Sequence, residues 1–447
     1  MKTHRHNPFG LPLRLALLLA ICVVVGFGFL LAAYTLPVAP IAKQVRLSVP
    51  ALNGDWATGE IAYEQLVKGY LSTQLDNSTD ANMMLAALHE VDRPLLQMAI
   101  DVPMYTYEGR CYPALLQYGQ SGTAALNSSD VARYWLGFLV FLKPLLMVFS
   151  YQDIRILLMT VQLLMLCAVA AGLAHRGLLR FSPAFALSMV AITPAITGFS
   201  LQFSTVLLLF LSAMLLQLYI PGLFRTPFRV FAYFLLLGAA TSYFDYLTYP
   251  IATFGMPFLL DALLRPAASV KEAFVRFVTC LLVWVVGYFG MWAGKWVIAS
   301  LLGTDGWFIP NLLAKITERS GYEAADTVIT LKMLFTAVFG VFAKKAYLAI
   351  ALLLALAYGF LFIRKSRRPL ARSAALPSQK ASVHGQTLLF AMTAALPIAW
   401  YLLASNHTYN HAFFTSRALC VTVFGLALLF TLPLRGGKAP LSDVTTE

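Results

Sequence analysis

Two carboxylates four residues apart, Asp76 and Asp80 in the run Leu75-Asp76-Asn77-Ser78-Thr79-Asp80-Ala81, are side chains whose type and spacing suit chemistry. On a helix that spacing puts both on one face, where one could take the proton of a hydroxyl while the other positions it. The same residues also read as a helix start: Asn77 or Ser78 could cap a helix through Met83, Met84, Leu85 and Leu88, with Asp80 in its dipole-favoured first turn. A divalent metal held by these oxygens is a further reading, although the spacing matches no known loop. The stretch from Asn406 to Arg417 is denser, with His407, His411 and Arg417. Arg417 sits one turn into an apolar run, where a charge costs about 2–3 kcal/mol by insertion scales. Either it snorkels to water, or its planar fork of donors binds a phosphate with one or both histidines beside it. Lys295, between tryptophans in Met291-Trp292-Ala293-Gly294-Lys295-Trp296, is a second cation at similar depth, equally readable as an interface anchor. Asp245, in Ser242 to Thr248, falls in a tight turn where an Asx-turn is its ordinary role.

The elements that must position these groups are membrane spans. The chain has 447 residues, 59% hydrophobic and 12% charged, with mean hydropathy +0.73, against roughly 25% charged in soluble domains. It reads as an all-α integral membrane protein. A net charge of +13 would suggest nucleic acid in a soluble chain; here the basic residues fall in short runs between apolar segments and report topology. No glycine-rich phosphate loop, metal-ligand spacing or transporter-like repeat is present. Cys22, Cys167, Cys280 and Cys420 fall in apolar segments and Cys111 alone in a polar one, so no disulfide is expected outside.

About ten spans of ~20 residues divide the chain. Residues 1–35 form a cytoplasmic N terminus and a first span, Leu11 to Thr35, and 36–150 an exofacial loop. Within that loop Tyr134 to Phe149 is interfacial or re-entrant, because only it or Ile154 to Ala174 can cross before the basic cluster His175-Arg176 and Arg180. Residues 151–302 form a bundle that includes spans Phe181 to Phe199 and Leu247 to Leu264, and 303–345 a second exofacial loop whose Val328 to Phe342 part lies on the membrane surface. Residues 346–434 complete the bundle around a cytoplasmic linker, 364–385, and 435–447 form a cytoplasmic tail. This topology places Asp55, Asp76, Asp80, Asp101, Asp245, Lys295, Asp305, His407, His411 and Arg417 outside or within about two helical turns of the outer surface.

Five runs then resemble the GT-C class of integral-membrane glycosyltransferases, and more closely a group of GT-C-like bacterial multi-pass proteins of largely unassigned function. They are Leu75 to Ala81, Arg133-Tyr134-Trp135, Phe244-Asp245-Tyr246-Leu247-Thr248, Gly294-Lys295-Trp296, and Asn406 through Arg417. The resemblance implies a polyprenyl-phosphate-linked sugar donor, a glycan, lipid or protein acceptor, and a base from the first loop, Asp80 before Asp76. It also implies a donor site from Lys295, His407, His411, Arg417, Asp245, Arg133 and Trp135, facing outward from a bacterial plasma membrane. The chain departs from better-known members in lacking a paired acidic motif directly after the first span. A transporter or flippase of a lipid-linked anion would use the same cations without a base, and an assembly subunit would use the loop only for docking.

Overall fold

The computed structural model describes residues 10–52, 60–88, 94–101, 103–107, 110–122, 127–130, 134–220, 222–302, 316–324, 327–366 and 382–430. These are helical apart from turns and two short antiparallel pairs, β1 (Pro103–Thr106) with β2 (Asn127–Asp130) and β3 (Glu323–Ala324) with β4 (Thr327–Val328). After α1 (Gly10–Tyr34) the first polar segment folds as α2 (Val38–Ser48), α3 (Asn77–Ala87), α4 (Leu95–Asp101), α5 (Cys111–Ser121) and α6 (Leu139–Leu146). The chain then runs back and forth through α7 (Tyr151–His175), α8 (Ser182–Ile192) with the short α9 (Pro194–Thr197), α10 (Leu201–Tyr219), α11 (Pro227–Phe244), α12 (Ile251–Leu264) and α13 (Val270–Leu302). A second polar stretch carries α14 (316–320) and α15 (Leu331–Gly340). The last helices are α16 (Lys345–Ser366), α17 (Val383–Leu403), α18 (Ser405–Asn410), α19 (Ala412–Thr415) and α20 (Leu419–Leu429).

Among the described residues seven helices are long and apolar enough to cross a membrane, or eight if Leu331–Gly340 and Lys345–Phe360, bent by 73°, form one span. Two further expected spans are shorter apolar helices, Leu179–Ile192 and Ile251–Leu264. The reasons are local. Thr193 takes a left-handed φ of 50° and Pro194 follows it, so the helix that ends at Ile192 cannot continue. Asp245 leaves helical geometry at the end of α11, and α12 begins only after Pro250. The Tyr134 to Phe149 piece is helical only over the 8 residues of α6, with Pro144 inside. At 1.5 Å per residue that is about 12 Å, well short of the ~30 Å hydrocarbon core.

Small residues and enclosed polar groups fix the bundle. A Cβ on Gly238 would lie 2.1 Å from the Trp284 carbonyl oxygen, and one on Gly287 would lie 2.2 Å from that of Leu235. The two glycines therefore let α11 and α13 touch backbone to backbone, as small residues do between membrane helices. All residues of α12 are buried, as expected of a helix that is apolar all round. Its hydroxyl is satisfied inside: Thr253 Oγ1 shares a 2.8 Å hydrogen bond with Thr241 Oγ1 and accepts from Trp284 Nε1 at 3.2 Å. Trp135, in the piece expected to be interfacial or re-entrant, is buried, and its indole N–H finds an acceptor in the Met291 carbonyl of α13 at 2.8 Å. Beside it Gly137 donates to the Tyr243 carbonyl at 3.0 Å, and a Cβ there would lie 2.3 Å from the Tyr243 ring. No other residue fits that approach.

The alternating order leaves the polar segments at one end of the bundle and Arg176, Arg180, Arg225, Arg229, Arg265, Lys271 and Arg276 at the other. Cysteines placed at the exposed positions Lys68 and Ser320 in a chain freed of its five native thiols should therefore both react with an impermeant maleimide from outside the cell. One at exposed Arg225 should react only after permeabilisation, and labelling of Arg225→Cys in intact cells would reverse the topology.

Candidate functional site

The first polar segment is fastened to the bundle by exchanged charges. Asp76, rather than Asn77 or Ser78, is the N-cap of α3: Thr79 donates to it through its backbone N–H at 2.9 Å and its hydroxyl at 2.9 Å. Asp76 therefore stands outside the helix, and the two carboxylates do not share a helical face. Asp80, in the first turn, is 1% exposed and points into the start of α10. Its oxygens accept from the backbone N–H groups of Leu201 (2.9 Å) and Gln202 (3.1 Å), from Ser200 Oγ (3.1 Å) and from the Tyr151 hydroxyl. A carboxylate at a helix N-terminus satisfies otherwise orphaned donors and meets the favourable end of the dipole.

Cations of α6 and of the bundle return the favour to the ends of short helices. Lys143 Nζ donates to the Ala87 carbonyl, the last residue of α3, at 3.0 Å. Lys295, fully buried on α13, donates to the Ala99 and Ile100 carbonyls at the end of α4 at 2.6 and 2.9 Å, with its ammonium 5.6 Å from the Trp135 ring centre. Arg417, 1% exposed, donates to the carbonyls of Ile192 (3.2 Å), Phe413 (2.8 Å) and Ser72 (3.3 Å) and lies 4.3 Å from the Phe203 ring centre. It neither snorkels nor lines the cavity described next. The structure thus places Asp80, Lys295 and Arg417 in fastening positions.

Between these fastenings lies a cavity of about 230 Å³, lined by Asp76, Asn82, Tyr134, Tyr246, Arg319, His407 and His411 among others. Asp76 brings a carboxyl that burial has pushed up to about 6, with the Asp80 charge adding to the rise and the Thr79 hydrogen bonds opposing it. The imidazoles of His407 and His411 stand 4.9 Å apart, and His411 stacks on Phe414 at 5.1 Å. Burial and the nearby Arg319 charge lower His407 to about 3 and His411 to about 4, so neither is a cation at neutral pH. His407 Nε2 meets the Leu247 carbonyl at 2.7 Å; a carbonyl only accepts, so Nε2 carries the proton. Asp245, buried in the turn just before, accepts from the Thr248 N–H (2.9 Å) and hydroxyl (2.6 Å). It shapes the turn that presents the Leu247 carbonyl and Tyr246, whose hydroxyl accepts from Asn82 Nδ2 at 3.2 Å.

Among the described residues the cation of this cavity is Arg319, from α14 in the second polar segment. Its Nη2 donates to the Tyr134 hydroxyl at 2.5 Å, and Ser405 holds the end of α14 by donating to the Ser320 (3.2 Å) and Gly321 (2.8 Å) carbonyls. No salt bridge joins Arg319 to Asp76 among the described residues, which leaves a guanidinium able to meet an anionic ligand. Among the described residues no cluster of three or more His, Cys, Asp or Glu could hold a metal. Arg133, Asp55 and Asp305 lie outside the described residues, and Asp101 ends α4. Sequence reasoning passed over Arg319, although a signal existed: it is the sole arginine between 303 and 345, in a segment where the positive-inside bias disfavours one.

Replacing the two carboxylates should separate fastening from cavity. Asp80→Asn forces an amide N–H₂ onto donors that now meet oxygen, and should lower stability by roughly 2–4 kcal/mol, since bonds to a charged group are worth about 1.5–3 kcal/mol each. Asp76→Asn should be nearly neutral, because asparagine caps helices as well as aspartate and burial already opposes the charge. Thermal unfolding of the two purified variants checks this; a larger loss at Asp76 would reverse the assignment. No protein-family model matches the chain, and no curated protein or solved structure matches it.

Proposed function

We propose that the chain is a membrane transferase of the GT-C kind. It moves a sugar from a polyprenyl-phosphate-linked donor to a glycan, lipid or protein acceptor at the outer face of a bacterial plasma membrane, on a frame of about ten spans. One observation carries this reading: a single cavity joins a carboxylate that titrates near 6 to a guanidinium that no salt bridge ties to it. The acceptor hydroxyl attacks the anomeric carbon and its proton passes to Asp76 as the new C–O bond forms. The bond from that carbon to the phosphate oxygen breaks, and polyprenyl phosphate leaves with the electron pair. Arg319 and the Tyr134 hydroxyl meet the developing charge, where preorganised donors contribute most. His407 and His411, neutral, accept hydrogen bonds from sugar hydroxyls. In this reading Asp80, Lys295 and Arg417 support the site without touching substrate.

The base must be ionised to act. Release of polyprenyl phosphate from a panel of labelled polyprenyl-phosphate sugars, with envelope extract as acceptor, should therefore fall about tenfold per pH unit below about 6. The histidines stay neutral across that range and add no second step. Asp76→Asn should slow release by about 10²–10⁴-fold. Arg319→Gln should weaken it strongly, and Arg319→Lys only partly, because the planar fork is lost while the charge remains. Release at the unmodified rate by a folded Asp76→Asn protein would sink the mechanism, and intact donor carried across vesicles without release would favour a flippase.

A further inference from the structure

At the opposite end of the bundle a second cavity, of about 580 Å³, opens between α10 and α11. Its walls are apolar, with Leu209, Leu216, Ile220, Phe228, Leu236 and Leu237, and Leu216, Ile220 and Leu236 are exposed, as on a face turned to lipid. The volume lies within the roughly 300–1,000 Å³ typical of ligand pockets. The mouth is charged. Arg229 lines it, donating Nη1 to the Gly222 carbonyl at 2.9 Å. A Cβ on Gly222 would lie 3.6 Å from Arg225 Nε and 3.7 Å from Arg229 Nη1, so both arginine side chains converge over this one residue. No carboxylate pairs with either among the described residues. Two like charges brought together without a counter-ion, at the rim of an apolar groove, form a complementary surface for one kind of partner.

We propose that this groove is a site for an anionic phospholipid, its acyl chain lying between α10 and α11 and its phosphate held by Arg225 and Arg229. The site is independent of the transferase cavity. Beside it Gln217 Nε2 of α10 donates to the Tyr233 hydroxyl of α11 at 2.9 Å and to the Pro257 carbonyl of α12 at 3.0 Å. A bound chain would cover the apolar wall beside that network.

Native mass spectrometry of the full chain in detergent tests this, with phosphatidylglycerol and phosphatidylcholine of identical dioleoyl tails as probes. Each basic residue near a lipid phosphate contributes about 1 kcal/mol, so two predict a phosphatidylglycerol preference of roughly thirtyfold. Arg225→Gln with Arg229→Gln should bring the two lipids to near parity, while the paired lysine variants, which keep the charge, should retain most of the preference. Equal retention of both lipids by the unmodified chain, or an undiminished preference in the glutamine pair, would overturn the proposal. Free glycerol 3-phosphate added in excess should leave bound lipid in place; displacement would mean that the arginines take a soluble phosphate and that the groove plays no part.

Discussion

The matching of buried charges to helix ends, across the join between the first polar segment and the bundle, is the constraint on which the rest depends. A short helix set against a membrane bundle has carbonyls and N–H groups that no water can satisfy, each costing several kcal/mol if left bare. The chain meets that demand with side chains rather than with more backbone. Across the join Asp80 serves the start of α10, Lys295 the end of α4, and Arg417 the turn at Ser72, while within the segment Lys143 serves the end of α3. The demand runs both ways, because an isolated ion buried in such surroundings costs more than the orphan groups do. Each charge therefore needs its helix end as much as the helix end needs the charge.

That arrangement decides which charged groups are left to line the cavity. The most conspicuous ions of the sequence are committed to backbone groups, so the cavity is served by less conspicuous ones. Asp76 keeps a carboxyl near neutrality because its hydrogen bonds, both from Thr79, only partly offset burial. Arg319 comes from a segment distant in sequence and is steadied through Ser405, which follows α17. Three separate polar segments meet at one end of the bundle, and each contributes one kind of group: a carboxylate, a guanidinium and a pair of imidazoles.

The membrane class and the alternating helices were legible because hydropathy and basic runs are summed over many residues. Capping was legible too, but only to within a residue: Asp76 rather than Asn77 or Ser78 is the cap, a choice set by where the chain turns. The difference between a carboxylate that fastens and one that lines the cavity was not legible. Asp76 and Asp80 are four residues apart with the same side chain, and only the placement of α10 and Tyr151 tells them apart. Lys295 and Arg417 looked like ligand cations because a buried charge in a span calls for a partner. That the partners are carbonyls of segments up to 345 residues away in sequence is a tertiary fact with no local trace.

The sequences Asp76-Asn77-Ser78-Thr79 and Asp245-Tyr246-Leu247-Thr248 are built alike: in each, an aspartate accepts from the backbone and the hydroxyl of the threonine three residues on. In the first the motif starts a helix, and in the second it closes a turn in which Leu247 takes a φ of 61°. A leucine there costs on the order of 1–2 kcal/mol, so the surrounding bonds must hold it. The result is a carbonyl aimed at His407 Nε2. By accepting that proton's hydrogen bond, the turn fixes the tautomer and leaves Nδ1 with a lone pair. Burial and Arg319 keep the ring neutral. A histidine so held can accept a hydrogen bond but cannot supply charge, so among the described residues the cavity's positive group is an arginine from another segment.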